Sequence, residues 1–352
     1  MVGDTLGDLS GRLLVQCRLG QAKNAARVAS AHGTGLVLTG RTPRPTVEAL
    51  REHGFTGPIL CDANRYSGRR RTPAAVGVRD SWTAEQHDLG LVALTDSGYL
   101  APHDWRGLRR ILTEAARQPG PTVAMLPLSA RWFEHSVDGL AEEIEHHGVP
   151  VALAIEHAKD PFGVRYVTRG LLSLLDVPVP VLLLRSDISA LGALAHGAHA
   201  AAIGTTTRLR RIPPRAGRGA VGFRSLRAFV PPLLGHHPLD AMGRLAPYWH
   251  CDCHECAGAT LTDLSRTQRP EVSAFRHSLS AQLTLWSSLH ATESPVDSWR
   301  DHCARALSVH RRLAATQPAW YPPANLHSWI QDPVRGERAV RPSTPPSHAG
   351  RG

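Results

Sequence analysis

Thr122-Val123-Ala124-Met125-Leu126 and Val151-Ala152-Leu153-Ala154-Ile155 are two short apolar runs, separated by the amphipathic segment Val137–His147. Both runs have the length and composition of buried strands, whereas the segment between them carries apolar residues at helical spacing. Because parallel strands need a crossover connection, a strand, a helix and a strand in this order predict a parallel sheet.

The same alternation covers the chain up to about residue 205. It predicts eight strands, at Leu13–Cys17, Gly35–Thr39, Pro58–Cys61, Leu91–Thr95, Thr122–Leu126, Val151–Ile155, Val179–Leu184 and Ala200–Gly204. Helix signals lie between most of them, at Gln21–His32, Pro45–His53, Asp104–Gln118, Val137–His147, Val164–Leu175 and Ile188–His196. A count of eight predicts an α/β fold of the (β/α)8 TIM barrel type, with an open doubly wound sheet as the alternative.

The charge of the chain is strongly basic, with a formal net charge of +10 over 352 residues. Only Lys23 and Lys159 are lysines, so almost all of the positive charge is arginine. A guanidinium offers planar, forked donors that suit phosphate, and this favours a nucleic-acid partner. Residues 207–227 contain no acid and seven arginines: Arg208, Arg210, Arg211, Arg215, Arg218, Arg224 and Arg227. A solvated loop is the alternative interpretation of such a run.

The sequence predicts a cytoplasmic protein without a membrane span. The segment Met1–Arg12 has no apolar core of the secretory type, and the apolar stretch Leu171–Leu184 is interrupted by Asp176 and two prolines. The thiols Cys17, Cys61 and Cys303 have no pairing pattern, which is typical of a reducing compartment.

A metal site is predicted after the last strand. Cys251, Cys253 and Cys256 lie within six residues, and His277 follows on a predicted helix. Three thiolates and one imidazole are the ligand set of a tetrahedral zinc site, and the lack of an open position favours a structural Zn2+. His290 is the alternative fourth ligand.

The predicted domain organisation has four parts. Further helices are predicted at Ser280–Leu289 and Ser298–Leu313, and the end of the chain is rich in Pro, Ser, Gly and Arg. The parts are an N-terminal extension at 1–12, the barrel at 13–230, a C-terminal zinc-binding helical subdomain at 231–335 and a disordered tail at 336–352.

An eight-stranded barrel followed by Cys-x-Cys-x-x-Cys and a later histidine resembles the tRNA-guanine (queuine) transglycosylase superfamily. The resemblance covers most of the chain and is stronger in layout than in identities. It implies exchange of a guanine-type base for a 7-deazaguanine in tRNA or DNA. It also implies that Cys251, Cys253, Cys256 and His277 are zinc ligands, although the segment before His277 is shorter than in the family.

Two motifs resemble the family's active-site strands. Ile59-Leu60-Cys61-Asp62 is similar to the strand that ends in Thr-Asp-Ser-Gly-Gly, which implies acid-base chemistry for Asp62, although Ala63-Asn64-Arg65 replaces the glycine-rich turn. Gln86, followed by Leu89-Gly90 and Asp96, resembles Gln-x-x-Leu-Gly and the aspartate that reads the guanine edge. A carboxylate suits this function because it accepts hydrogen bonds from the N–H groups of a purine or 7-deazapurine base.

The family's nucleophilic aspartate is replaced here. His196–Ile203 corresponds to the family's Arg-Gly-Ile-Asp-x-Phe-Asp-Cys, and Ala202 stands where the attacking carboxylate would be. Candidate replacements are Asp187, at the end of the seventh predicted strand, and Asp62 or Asp96 in a different arrangement. A helix N-cap is the alternative role of Asp187. Glu156, at the end of the sixth strand, is a candidate substrate-binding residue on the same rim. Arg208, which matches a later family Thr-Arg, is a candidate contact to the nucleic-acid backbone.

Three functions follow from these patterns. The first is base exchange, with Asp62 and Asp187 as catalytic residues and with Asp96, Gln86, Glu156 and Arg208 binding the substrate. The second is a non-catalytic barrel that binds nucleic acid or pairs with an active subunit, as a homodimer or a heterodimer, and Ala202 favours it. A zinc hydrolase or deaminase is the third, and the deaminase sequence pattern is absent.

Overall fold

Eight parallel strands form a nearly closed (β/α)8 barrel in the computed structural model, which describes residues 6–215, 225–246, 249–317 and 319–331. The strands are β1 Arg12–Arg18, β2 Leu36–Thr39, β3 Ile59–Asp62, β4 Ala93–Leu94, β5 Thr122–Ser129, β6 Val151–Glu156, β7 Val181–Ser186 and β8 Ala200–Gly204. Their spatial order is β3-β2-β1-β8-β7-β6-β5-β4, so the prediction of the barrel is confirmed.

Helices surround the barrel and continue beyond it. The first eight are α1 Ala22–Ala31, α2 Arg44–Glu52, α3 Asp80–Asp88, α4 Trp105–Ala116, α5 Trp132–His135, α6 Val137–His147, α7 Arg165–Leu174 and α8 Ser189–Ala195. Neither α3 nor the short α5 was predicted from the sequence. Another four follow the barrel, α9 Leu239–Leu245, α10 Pro270–His290, α11 Pro295–Thr316 and α12 Ala324–Gln331.

Side chains alternate between the inside of the barrel and the layer under the helices. In β1, Leu14 belongs to the interior cluster, while Leu13 and Val15 pack in the outer layer. The same period of two brings Leu60 and Ala202 into the interior. The next inward position of β3, two residues after Leu60, is Asp62 at the carboxyl end of the strand.

The amino-terminal end of the barrel is closed by the residues that precede β1. Leu6 and Leu9 are buried in the interior cluster. Gly11 N donates to His199 O at 2.8 Å, and a ring nitrogen of His199 lies 3.0 Å from Leu6 O. The predicted N-terminal extension therefore includes a plug for the barrel, and its residues 1–5 lie outside the described part of the chain.

One joint of the barrel differs from the other seven. β3 and β4 are the two ends of the strand order, and they share no ladder of backbone hydrogen bonds. Beyond the strand ends, an isolated parallel bridge joins Pro73 to Tyr99. Side chains and loops therefore close the barrel at this seam.

A small antiparallel hairpin leads from the barrel into the part of the chain that carries the predicted metal ligands. Strand β9 (Arg227–Val230) pairs with β10 (Gly235–Pro238), so the boundary predicted at residue 230 falls inside the hairpin. Phe229 N donates to Ser278 Oγ of α10 at 3.0 Å, which fixes the hairpin to that helix.

Helices α11 and α12 pack on the outside of α8. A Cβ atom on Gly192 would lie 2.6 Å from Trp299 Nε1 and 2.7 Å from Trp329 Cε2. Trp329 Nε1 also donates to Ser189 Oγ at 3.0 Å. The C-terminal helices thus share a close-packed interface with the barrel. Within the described residues, no helix has both the length and the apolar character needed to cross a membrane.

Candidate functional site

The predicted metal ligands converge on one point. One ligand atom from each of Cys251, Cys253, Cys256 and His277 lies within 4.8 Å of all the others, and all four residues are buried. His277 Nδ1 is 3.0 Å from Cys256 Sγ and 3.6 Å from Cys253 Sγ. Zinc–ligand bonds in a tetrahedral site imply about 3.5–3.8 Å between neighbouring ligand atoms. The distance to Cys253 fits this range, and the distance to Cys256 is shorter. The cluster could therefore hold a metal ion.

The backbone around the cluster orients the imidazole. His277 Nε2 lies 2.7 Å from Phe229 O, so it donates to this carbonyl when Nδ1 faces the sulfur atoms. An outer hydrogen bond of this kind is usual for a ligating histidine. His290 is the last residue of α10 and packs on Trp286, with ring centroids 5.2 Å apart. Of the two histidines that the sequence left open as the fourth ligand, His277 is the one in the cluster.

Asp62 lies at the carboxyl end of β3, and hydrogen-bond donors surround it. Gln16 Nε2 donates to its Oδ2 at 3.0 Å, Tyr66 OH donates to the same oxygen at 2.8 Å, and Asn64 N donates to Oδ1 at 2.8 Å. Arg185 lies 3.4 Å from Oδ2 and is the ion-pair partner. Burial raises the pKa of Tyr66, which keeps its hydroxyl a donor.

Asn64 and Arg185, which both contact Asp62 and each other, have left-handed backbone conformations, with φ of 55° and 51°. Arg185 lies within an irregularity in the pairing of β7 with β8, between Leu183 and Ser186. Its Nη2 donates to Asn64 Oδ1 at 2.5 Å. Such conformations are costly for side-chain-bearing residues and concentrate at functional sites.

Asp96 follows β4, on the other side of the seam from Asp62, and two arginines bind its carboxylate. Its Oδ2 accepts from Arg65 Nη1 at 2.7 Å and from Arg79 Nε at 2.5 Å, and Arg79 N donates to Oδ1 at 2.9 Å. The Asp96 side chain is fully buried. The oxygens predicted to read a base edge are therefore occupied by guanidinium and backbone donors.

Gln86 and Glu156 are likewise engaged within the protein. Gln86 is buried on α3, where its amide exchanges hydrogen bonds with the backbone of Leu94 and donates to Trp82 O. Glu156 forms an ion pair with Arg71 and accepts from Tyr99 OH. Gln86 thus fixes α3 to β4, whereas Glu156 remains on the rim that the sequence predicted.

Asp187 belongs to a separate cluster beyond the end of β7. It lies 3.6 Å from both Arg210 Nη1 and His236 Nδ1. Burial, followed by the charges of Arg210 and Arg227, lowers the pKa of His236 well below its usual value, so this histidine is neutral. Burial and then the charge of Asp187 raise the pKa of nearby Asp160 to about 7. Asp187 and Asp62 therefore have different partners.

A pocket of about 900 Å³ opens at the carboxyl-terminal mouth of the barrel, and we call it the mouth pocket. Thr39, Asn64 and Ser67 contribute to its wall, and no acidic residue lines it in the described part of the chain. Its charged lining consists of five arginines: Arg18, Arg69, Arg185, Arg208 and Arg215. Of the predicted site residues, Arg208 lines this pocket.

The arginines that pair with the predicted acids were not predicted from the sequence. Arg208 was predicted, but Arg65, Arg79 and Arg185 were not, although each neutralises a predicted acid. One available signal was Arg185 at the end of an otherwise apolar strand. Such a residue must find an anionic partner when the strand end is buried.

Comparisons with known proteins do not assign a family. No protein-family model matches the chain, and no curated protein matches it. A mandelate racemase/muconate lactonizing protein from Herpetosiphon aurantiacus is similar at 13% identity and a TM-score of 0.34. The match covers 55% of this chain and 56% of that chain. Nitroalkane oxidase from Streptomyces ansochromogenes is similar at 15% identity and a TM-score of 0.23, over 79% of this chain and 91% of that chain.

Proposed function

We propose that this chain is a divergent, non-catalytic barrel of the tRNA-guanine transglycosylase type that binds nucleic acid, either tRNA or DNA, at its mouth pocket. The observation that carries the proposal is that several arginines of this pocket lack an acidic partner. Arg18, Arg69 and Arg208 have no acidic partner among the described residues, whereas Asp62, Asp96 and Glu156 are each paired with another arginine.

Unpaired guanidinium groups in a cleft create a positive field that attracts phosphate. The position also fits, because TIM barrels often bind phosphate with the loops that follow strands 7 and 8. Arg185 lies near the end of β7, and Arg208 and Arg215 follow β8. Contacts from these arginines to the phosphates would position a nucleic acid without reading its sequence.

The positions and partners of the acidic residues support the absence of base exchange. Ala202 is fully buried in the barrel interior, so its methyl group leaves no carboxylate at the family's nucleophile position. Asp62 and Asp96 both have buried oxygens that are occupied by donors. A carboxylate in this state is a weak nucleophile because it must first lose its partners.

Base exchange remains a second candidate because of the position of Asp62. Asn64 and Arg185 line the mouth pocket and contact this carboxylate, so it lies directly beneath the pocket. Movement of the Arg185 side chain would expose it to a purine or 7-deazapurine base. Pairing with another subunit also remains a prediction.

We propose zinc as the metal and a structural function for it. The donor set fits Zn2+, because three thiolates and one imidazole are available and all four residues are buried. Zinc would supply the link between the Cys251–Cys256 loop and α10.

The binding proposal is tested by titrating bulk tRNA and duplex DNA with the protein at several salt concentrations. Replacing Arg69 and Arg208 together by glutamine is expected to weaken binding and to reduce the salt slope by about one for each phosphate that is no longer neutralised. Arg106→Gln with Arg117→Gln removes the same charge from the surface of α4 and its end, and is the matched control. Binding that does not depend on salt, or no binding, would refute the proposal.

The same samples test base exchange. Incubation with labelled guanine or a labelled 7-deazaguanine is expected to leave the nucleic acid unlabelled. Incorporation that disappears in Asp62→Ala would instead establish the second candidate and place Asp62 in the chemistry.

A further inference from the structure

We infer that a single-stranded polynucleotide continues from the mouth pocket into a second basic groove between α1, α2 and the start of α10. This inference rests on the proposed function and names the path of the ligand and its minimum length. The second groove, which we call the helix groove, has a volume of about 770 Å³.

The helix groove has the charge of a phosphate-binding surface. Its lining contains Lys23, Arg27, Arg269 and Arg276 and no acidic residue within the described part of the chain. Arg276 donates to Asn24 Oδ1 at 2.8 Å. The other three are exposed and have no acidic partner among the described residues. Three free cations around one concave surface favour an anionic ligand.

The helix groove and the mouth pocket are adjacent. Leu19 and Gly20 line both of them, so the short segment between β1 and α1 is their common border. Gly20 is exposed, and a Cβ atom built on it would meet no atom within 4 Å. Gly20 therefore adds no side chain to the border, which leaves room for a chain of phosphates to cross at this point.

A single strand fits this arrangement better than one isolated phosphate. Arg18, Arg69 and Arg208 line the mouth pocket, whereas Lys23, Arg27 and Arg269 line the helix groove, so cations lie on both sides of the border. Grooves that bind single strands without sequence preference track the backbone with such cations. A mononucleotide would use only one of the two cavities.

The test uses labelled oligothymidylates of about 4 and about 16 nucleotides, which span the range of single-strand site sizes. The groove variant replaces Lys23, Arg27 and Arg269 by glutamine. Its matched control replaces Arg106, Arg117 and Arg312 by glutamine, which also removes three positive charges but lies outside both cavities. Binding is followed by fluorescence anisotropy against salt concentration.

We expect the groove variant to lose affinity for the long strand and to reduce its salt slope by about 2, since each contact to a single strand contributes about 0.7. Its affinity for the short strand, measured at the mouth pocket, should match that of the control. Gly20→Glu should weaken the long strand more than the short one, because it places a carboxylate on the border that only the long strand has to cross. Gly7→Glu is the control, since Gly7 is exposed and has the same open space.

The outcomes separate the two proposals. Salt-dependent binding of both strands that is unchanged in the groove variant and in Gly20→Glu would overturn the inferred path and leave the proposed function intact. Absence of binding to every nucleic acid would overturn the proposed function. A groove variant that changes the oligomeric state without changing strand affinity would assign the groove to a second copy of the chain and overturn the path.

Discussion

Arg185 is the charged partner of Asp62 at the centre of the barrel mouth. Its side chain is 2% exposed, and it also contacts Asn64 and the carbonyl of Arg208. Burial of an ion pair is costly, but removal of one partner costs more, because the remaining charge is left without compensation. The ion pair between Arg185 and Asp62 therefore affects the stability of the protein as well as the shape of the site.

Replacement of Arg185 by glutamine is expected to lower the free energy of unfolding by about 3 kcal/mol, because Asp62 loses its buried counter-charge. Urea denaturation followed by circular dichroism measures the change. Arg208→Gln removes an exposed arginine from the same pocket and should change stability by no more than about 0.5 kcal/mol. Equal stabilities of the two variants would contradict the importance of the pair.

The acids of this site were predictable from the sequence, but their partners were not. Asp62 and Glu156 end strands whose preceding inward positions are apolar, and the period of two placed them at the mouth. Arg185 is 123 residues from Asp62, and its placement depends on the irregularity in β7. No local pattern contains a contact of that kind.

At the scale of the elements, the cluster of predicted metal ligands joins a loop to a helix. Cys251, Cys253 and Cys256 come from the loop, and His277 comes from the second turn of α10, which also holds the β9–β10 hairpin. Without the metal, the loop would keep only a few backbone hydrogen bonds. Metal binding and local folding are coupled in sites of this kind.

Cys253→Ser is expected to lose stoichiometric zinc and to destabilise the C-terminal part of the protein by several kcal/mol, since the binding free energy of a structural zinc is about 10 kcal/mol or more. Metal analysis of the purified protein and thermal unfolding provide the measurements. His290→Asn should keep its zinc, because that side chain lies outside the cluster. Full metal content in Cys253→Ser would exclude the assignment.

Helices with a clear apolar face were predictable, and α3 shows why one was missed. α6 begins at Val137 and ends at His147, as predicted, because Leu140 and Ile144 form a regular buried stripe. In α3, by contrast, the buried residues are Trp82, Thr83 and Gln86, so two of three are polar. Their burial depends on hydrogen bonds to β4 and neighbouring segments, which periodicity cannot reveal.

At the scale of the whole molecule, the barrel and the C-terminal helices are packed through Gly192. The glycine allows the indole rings of Trp299 and Trp329 to approach α8. Trp329 also stacks on Phe162, with ring centroids 6.0 Å apart. The predicted subdomain is therefore connected to the barrel by a buried aromatic interface as well as by the chain.

Gly192→Ala tests this interface. In an exposed helix the change would stabilise by about 1 kcal/mol, but here the new methyl group would lie under 3 Å from two buried indoles. Overpacking of this kind costs about 1–3 kcal/mol, so a net loss of stability is expected. Tryptophan fluorescence during thermal unfolding reports the loss. Gly7→Ala, at a site with open space, serves as the reference, and a gain of stability in Gly192→Ala would argue against close packing.

The seam between β3 and β4 has a mechanical consequence for the entire barrel. Seven joints of the cylinder are fastened by backbone hydrogen bonds, and the eighth is fastened by groups such as Arg65, which reaches from the β3 side to Asp96 on the β4 side. A barrel in which one pair of neighbouring strands lacks backbone hydrogen bonds opens first between those two strands. Asp62 lies on the β3 side of that joint and Asp96 on the β4 side. Expansion of the barrel would therefore separate these two residues, while the strands on the opposite side keep their pairing.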